Sequence, residues 1–196
     1  MSKKKIALII NILIIILELI GLGKSIFISR DFSFAYYTND SNIIALISSI
    51  LFLVFYKKDK ELVKDIRFVA TSCLTLTFLV VIFILCPMYQ FNYKLFMFTD
   101  TFLIFHTLVP ILSIISYVAF EERSSKKYLC LGFTAIYGAI LILLNILTLI
   151  EGPYPFLMVS TQGPLGILFW GVIIIGGSYL VGILLNFLNK KIKGAK

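Results

Sequence analysis

The sequence predicts an all-α protein, a bundle of six transmembrane helices built as a single integral membrane domain over residues 1–196. Three observations carry this. The chain is 60% hydrophobic and only 14% charged, with a mean hydropathy of +1.01, outside the range of a soluble globular domain. Six apolar runs, each about 18–25 residues, are separated by charged or turn-rich breaks. In lipid every backbone N–H and C=O needs an internal partner, so runs of that length are helices.

The runs are Ile6–Gly23, Phe32–Tyr56, Phe68–Pro87, Thr99–Phe120, Tyr128–Ile150 and Pro164–Leu188. At a rise of about 1.5 Å per residue each spans a hydrocarbon core of roughly 30 Å. The first follows Lys3, Lys4 and Lys5, as a signal peptide would. It is longer than a usual signal core, however, and it ends in Gly-Leu-Gly-Lys with no small-x-small cleavage site, so it is expected to be retained. In the fourth run Pro110 removes a backbone donor and is expected to kink the helix near Phe105–His106. Before the last run, Glu151-Gly-Pro-Tyr-Pro-Phe-Leu157 and Gln162-Gly-Pro force a stiff, non-helical connection. Tyr154 and Phe156 there suit either an interfacial aromatic anchor or a lid over a cavity. Gly166, Gly171, Gly176, Gly177 and Gly182 thin the faces of the last helix for close packing.

Charge predicts the orientation. Fifteen cations fall at one set of ends: Lys3–Lys5, then Lys57, Lys58, Lys60, Lys64 and Arg67, then Arg123, Lys126 and Lys127, then Lys190, Lys191, Lys193 and Lys196. Only Lys24, Arg30 and Lys94 fall at the other. The positive-inside rule then places both termini in the cytoplasm of a multi-pass cell-membrane protein. The net charge of +8 is thus a topology signal. The basic runs are short and lack interleaved aromatics, so nucleic acid is not an expected partner; membrane lipids are. Cys73, Cys86 and Cys130 lack metal-ligand spacing and read as small apolar packing residues. No phosphate-binding loop, dinucleotide fingerprint, zinc motif or nucleophile elbow is present, so no cofactor and no metal are expected.

Polar groups inside a membrane bundle are expensive, which makes each a functional candidate. The chain has one histidine, His106, six residues past Asp100 in the fourth run, about 9 Å below the boundary at helical rise. Thr38 lies seven residues past Asp31 in the second run, roughly 10 Å down by the same arithmetic. A threonine hydroxyl becomes a nucleophile when a neighbouring base takes its proton, and neutral imidazole suits that task. Asn39, Asp40, Ser41 and Asn42 are placed to orient the histidine or to donate to a developing oxyanion. The same residues also fit a histidine that ties helices together, with Thr38 as a helix N-cap. Glu18 is an acid within the first run that needs a partner, a proton or a water path; Asn145 is expected to bond across helices.

Tyr37-Thr38 with Asn39-Asp40-Ser41-Asn42, His106 ahead of Pro110, and Tyr154-Pro155-Phe156-Leu157 followed by Gly163-Pro164 resemble the androgen-induced-protein family. That family includes animal hydrolases of fatty acid esters of hydroxy fatty acids and bacterial six-helix relatives. The resemblance covers essentially the whole chain in the order and spacing of its runs. It implies an intramembrane lipid-ester hydrolase with Thr38 as nucleophile and His106 as base. Asn39–Asn42 and Tyr154 then become orienting, oxyanion or substrate-contacting candidates. The stretch after Thr38 is more polar here than in the animal proteins. The rival class is a non-enzymatic membrane protein, a small transporter or structural bundle with a polar cluster, although no inverted repeat or row of intramembrane charges is visible.

Overall fold

The structure is a computed structural model that describes residues 2–58 and 60–194; Lys196, counted among the topology charges, lies outside them. Six helices among these residues are long and apolar enough to cross a membrane. They are α1 (Lys3–Ser29), α2 (Tyr37–Val54), α3 (Glu61–Met88), α5 (Asp100–Ala119), α6 (Leu129–Ile146) and α7 (Val159–Gly194). A short helix, α4 (Tyr93–Phe98), sits between α3 and α5.

The apolar runs carry through to helices, but their ends are set by polar chemistry. Ser2 caps α1, its hydroxyl accepting from the Lys5 amide. Helix α2 starts at Tyr37 rather than Phe32, because residues 30–36 are not helical and Arg30 ends the preceding turn with a left-handed φ of 56°. Helix α3 starts at Glu61, about two turns before the apolar run that begins at Phe68. Its first turns tolerate charge because the charges are paired and buried. Asp65 accepts from Ser124 Oγ and Lys126 Nζ, both at 2.6 Å.

Helix α3 is the hub of the bundle. It packs against α2, α5, α6 and α7, and α1 closes the other side against α2 and α5. One face of α3 is polar along its length. Near its start Arg67 is 1% exposed and bidentate to Glu121, with Nε–Oε2 at 2.9 Å and Nη2–Oε1 at 2.8 Å. Arg67 also donates to Ser48 and Ser49 on α2, and Asn11 of α1 and Ser116 of α5 donate to Glu121. One turn on, Thr71 bonds Ser113 at 2.8 Å. Arg67 is therefore not a solvated loop cation; it locks four spans together. The three cysteines are free and buried.

Three helices contain π-helical turns, at Lys24–Ser29, Val81–Leu85 and Leu103–Leu108. The last two directly precede helical segments with Pro87 and Pro110 in their first turn. At the third, the Val109 amide reaches the Ile104 carbonyl, one residue further than in an α-helix. The expected distortion at Pro110 thus takes the form of a π-turn, and His106 sits in it. In α7 the kink is at Gly163, whose φ of 63° favours glycine, and Pro164 follows. Of the glycines in α7, Gly182 is the tight one: a Cβ there would meet Cys130 Sγ at 2.5 Å. Gly171 and Gly176 face open space. Asn145 of α6 bonds across to α7 as expected, but at the very start of that helix: it accepts from the Val159 amide and donates to the Ile150 carbonyl, holding the loop between the two.

A threonine and a histidine at the junction of two cavities

Two spans bring Thr38 and His106 together. Thr38 Oγ1 lies 3.5 Å from His106 Nε2, at the outer limit of a hydrogen bond. Thr38 reaches this point as the second residue of α2 rather than from roughly 10 Å along a helix. Nor is it an N-cap, since Tyr36 occupies that position.

The histidine is oriented by α4. His106 Nδ1 lies 2.7 Å from the Phe96 carbonyl, and Thr107 Oγ1 donates to the Met97 carbonyl at 2.7 Å. These are carbonyls of the last turn of α4, which have no partner within their own helix. A carbonyl only accepts, so Nδ1 carries the hydrogen. In the neutral ring Nε2 then presents its lone pair to Thr38. Phe102 stacks on the imidazole with ring centroids 5.0 Å apart and planes 7° from parallel. His106 is 5% exposed.

The four polar residues after Thr38 do not orient the imidazole. Ser41 Oγ and Asn42 Nδ2 donate back to the Thr38 carbonyl at 2.9 and 2.7 Å, and Ser41 also bonds Thr77 on α3. Asn39 donates to the Ser33 carbonyl, closing the loop that leads into α2. Asp40 is half-buried in the first turn of α2, where the helix dipole favours a carboxylate. This group builds the helix terminus that carries Thr38, while the α4 carbonyls fix the ring.

Tyr154 completes the constellation. The loop before α7 folds inward, so that Tyr154, Phe156 and Leu157 are buried rather than spread at the interface. The Tyr154 ring stacks on Phe156, with centroids 5.2 Å apart, and meets Tyr36 edge-on. Burial pushes its hydroxyl up to about 12, while the Thr38 hydroxyl and the Thr38 and Tyr37 backbone beside it pull the other way. First-turn amides of a helix lack intrahelical acceptors and carry its positive dipole end.

Two cavities meet at Thr38, Leu85 and Tyr154. One, about 320 Å³, has a mixed lining that includes Asp31, Tyr36, Asn39, Tyr89 and His106. The other, about 250 Å³, runs between α3, α6 and α7 and is walled by apolar groups such as Leu76, Val80, Ile142 and Ile174. Among the described residues no three His, Cys, Asp or Glu side chains gather as metal ligands. The residues that sequence reasoning missed are Phe96, Phe102 and the α4 turn. Their only signal was the aromatic stretch Asn92-Tyr-Lys-Leu-Phe-Met-Phe98. Comparison with known protein families, with curated proteins and with solved structures finds no match to this chain.

Proposed function

We propose that this protein is an intramembrane hydrolase of fatty-acyl esters, with Thr38 as nucleophile and His106 as general base, oriented with both termini in the cytoplasm of the cell membrane. The observation that carries the reading is the three-point alignment of Thr38 Oγ1, His106 Nε2 and the Phe96 carbonyl at the junction of two cavities. Nucleophile, base and orienter stand in the order that acyl transfer needs. The resemblance to the androgen-induced-protein family supports the same pair. The 3.5 Å gap suits an unliganded site, where catalytic hydrogen bonds run long and tighten on substrate binding.

In this mechanism the ester carbonyl sits beside Thr38. The Thr38 hydroxyl proton passes to His106 Nε2 as Oγ1 attacks the carbonyl carbon. The oxyanion accepts from the Tyr154 hydroxyl and the first-turn amides of α2. Collapse breaks the ester C–O bond, and the leaving alkoxide takes the proton from Nε2. Water, deprotonated by the same nitrogen, then attacks the acyl-threonine; the fatty acid departs and the Thr38 hydroxyl is restored. The apolar cavity accepts the acyl chain, which arrives from lipid rather than through water. No cofactor enters any step.

The test is turnover of a panel of fatty-acyl esters by purified protein in lipid, with a hydroxyl-directed hydrolase probe to locate the labelled residue. Label at Thr38 supports the reading. A folded preparation with no turnover and no label overturns it in favour of a non-enzymatic bundle, and uptake into vesicles without ester turnover would make that bundle a transporter.

A further inference from the structure

We propose that Glu18 works as a neutral carboxylic acid whose hydroxyl donates to the Asn42 side-chain oxygen, and that through Asn42 it holds the first turn of α2, making it a positioning residue for Thr38. The catalytic consequence rests on the hydrolase reading; the link itself does not.

Glu18 is fully buried in α1, and neither of its oxygens has a hydrogen-bond partner. Asn42 Oδ1 is buried and unpartnered as well. The register of the helices places the two residues at one level, on the facing sides of α1 and α2. Ile14 of α1 and Ala45 of α2 belong to one packed cluster with Leu74 and Val109. Helices α1 and α2 are consecutive, joined by a short link, and pack closely, so they run antiparallel. One turn beyond Ile14 on the same face of α1 stands Glu18, and one turn before Ala45 on the same face of α2 stands Asn42.

The hydrogen-bond accounting at this level is one-sided. Three buried oxygens at this level have no donor in reach: Asn42 Nδ2 gives one hydrogen to the Thr38 carbonyl at 2.7 Å, and its second reaches neither Glu18 oxygen. The cation one to two turns on in α1, Lys24, is committed to Asp100, and the buried Arg67 of α3 to Glu121. A bare carboxylate without donor or counter-ion is not tolerated in such a place. A single proton on Glu18 turns one acceptor into a donor and satisfies Asn42 Oδ1. Asn42 is then fixed at both ends, and the Thr38 carbonyl is held by Asn42 and Ser41 together. The same turn presents the Thr38 hydroxyl to His106.

The experiment uses the full-length protein in lipid nanodiscs, by infrared difference spectroscopy and by backbone hydrogen exchange. The wild-type-minus-Glu18→Gln spectrum should carry the C=O stretch of a protonated acid, and that band should shift in Asn42→Leu. Glu18→Gln keeps a donor and an acceptor, so exchange of the first-turn amides of α2 should match wild type. Glu18→Leu should speed it roughly three- to tenfold, the worth of one net hydrogen bond. Should Glu18→Leu fail to fold, the band shift in Asn42→Leu and the exchange of Glu18→Gln decide. Carboxylate bands in the difference spectrum, an acid band indifferent to Asn42→Leu, or unchanged exchange in a folded Glu18→Leu overturns the proposal. Wild type that turns over no ester, yet shows the acid band and the exchange pattern, removes the hydrolase reading and upholds the link.

Discussion

His106 is held by Phe96. Its Nδ1 donates to the Phe96 carbonyl at 2.7 Å, leaving Nε2 aimed at Thr38. One backbone oxygen thus selects the tautomer of the only histidine in the chain. A backbone carbonyl cannot be deleted by side-chain mutation and does not titrate. The orientation of the ring therefore depends on the docking of α4, ten residues upstream.

Removing either end of the pair should stop chemistry without unfolding the bundle. Thr38→Ala and His106→Ala are each expected to lower kcat for a long-chain ester by roughly a thousandfold or more, and the double variant should be little worse than either single one. Thr38→Ser should keep partial activity, since the hydroxyl stays while the methyl that restricts its rotamer is lost. Steady-state turnover of the four proteins checks this. Wild-type activity in Thr38→Ala would remove the nucleophile assignment.

Tyr154→Phe deletes the hydroxyl that faces Thr38 and keeps the ring that stacks on Phe156. The expected effect is a loss of roughly a hundredfold in kcat with KM little changed, the pattern of a group used in the transition state. If KM rises while kcat holds, Tyr154 serves as a wall of the cavity and not as a donor.

The apolar cavity should act as a gauge of acyl length. Gly138 lines it, and a Cβ there would meet no neighbour, so the backbone tolerates a side chain at the cavity wall. Gly138→Phe is expected to abolish turnover of long-chain esters and to spare short ones. A chain-length profile identical to wild type would place the acyl group elsewhere.

The six spans were legible in the sequence because a transmembrane helix needs only a long apolar run, and composition shows that directly. Thr38 and His106 were legible because a lone imidazole and a hydroxyl stand out against aliphatic neighbours. Three things were not. The start of α3 at Glu61 was hidden because Asp65 and Arg67 look like loop charges until Ser124, Lys126 and Glu121 pair with them from elsewhere in the chain. The orienter of His106 was hidden because any residue can supply a carbonyl, so no side chain marks it. The distortion ahead of Pro110 was expected, but its form as a π-turn, and the like turn ahead of Pro87, were hidden because a π-turn is a backbone adjustment with no residue signature of its own.

The Arg67–Glu121 pair sets the last expectation. Each partner is almost fully buried, and Asn11, Ser48, Ser49 and Ser116 complete the hydrogen bonding. Removing one partner strands a buried charge, so Arg67→Ala and Glu121→Ala are each expected to cost about 3–5 kcal/mol, while Arg67→Met with Glu121→Leu should cost less than either. Burial by itself would raise the Glu121 carboxyl, but the Arg67 charge and the hydrogen bonds from Arg67, Ser116 and Asn11 outweigh it and hold the group below its ordinary value of 4.5. A carboxyl lowered in the folded state binds its proton more readily when unfolded. Its stabilisation is therefore full above the ordinary glutamate range and is lost as pH falls below it toward the folded value. Thermal unfolding in detergent should show wild type losing stability on acidification through that window, with the Arg67→Met, Glu121→Leu variant losing less. Equal acid sensitivity in the two proteins would show that other groups govern it.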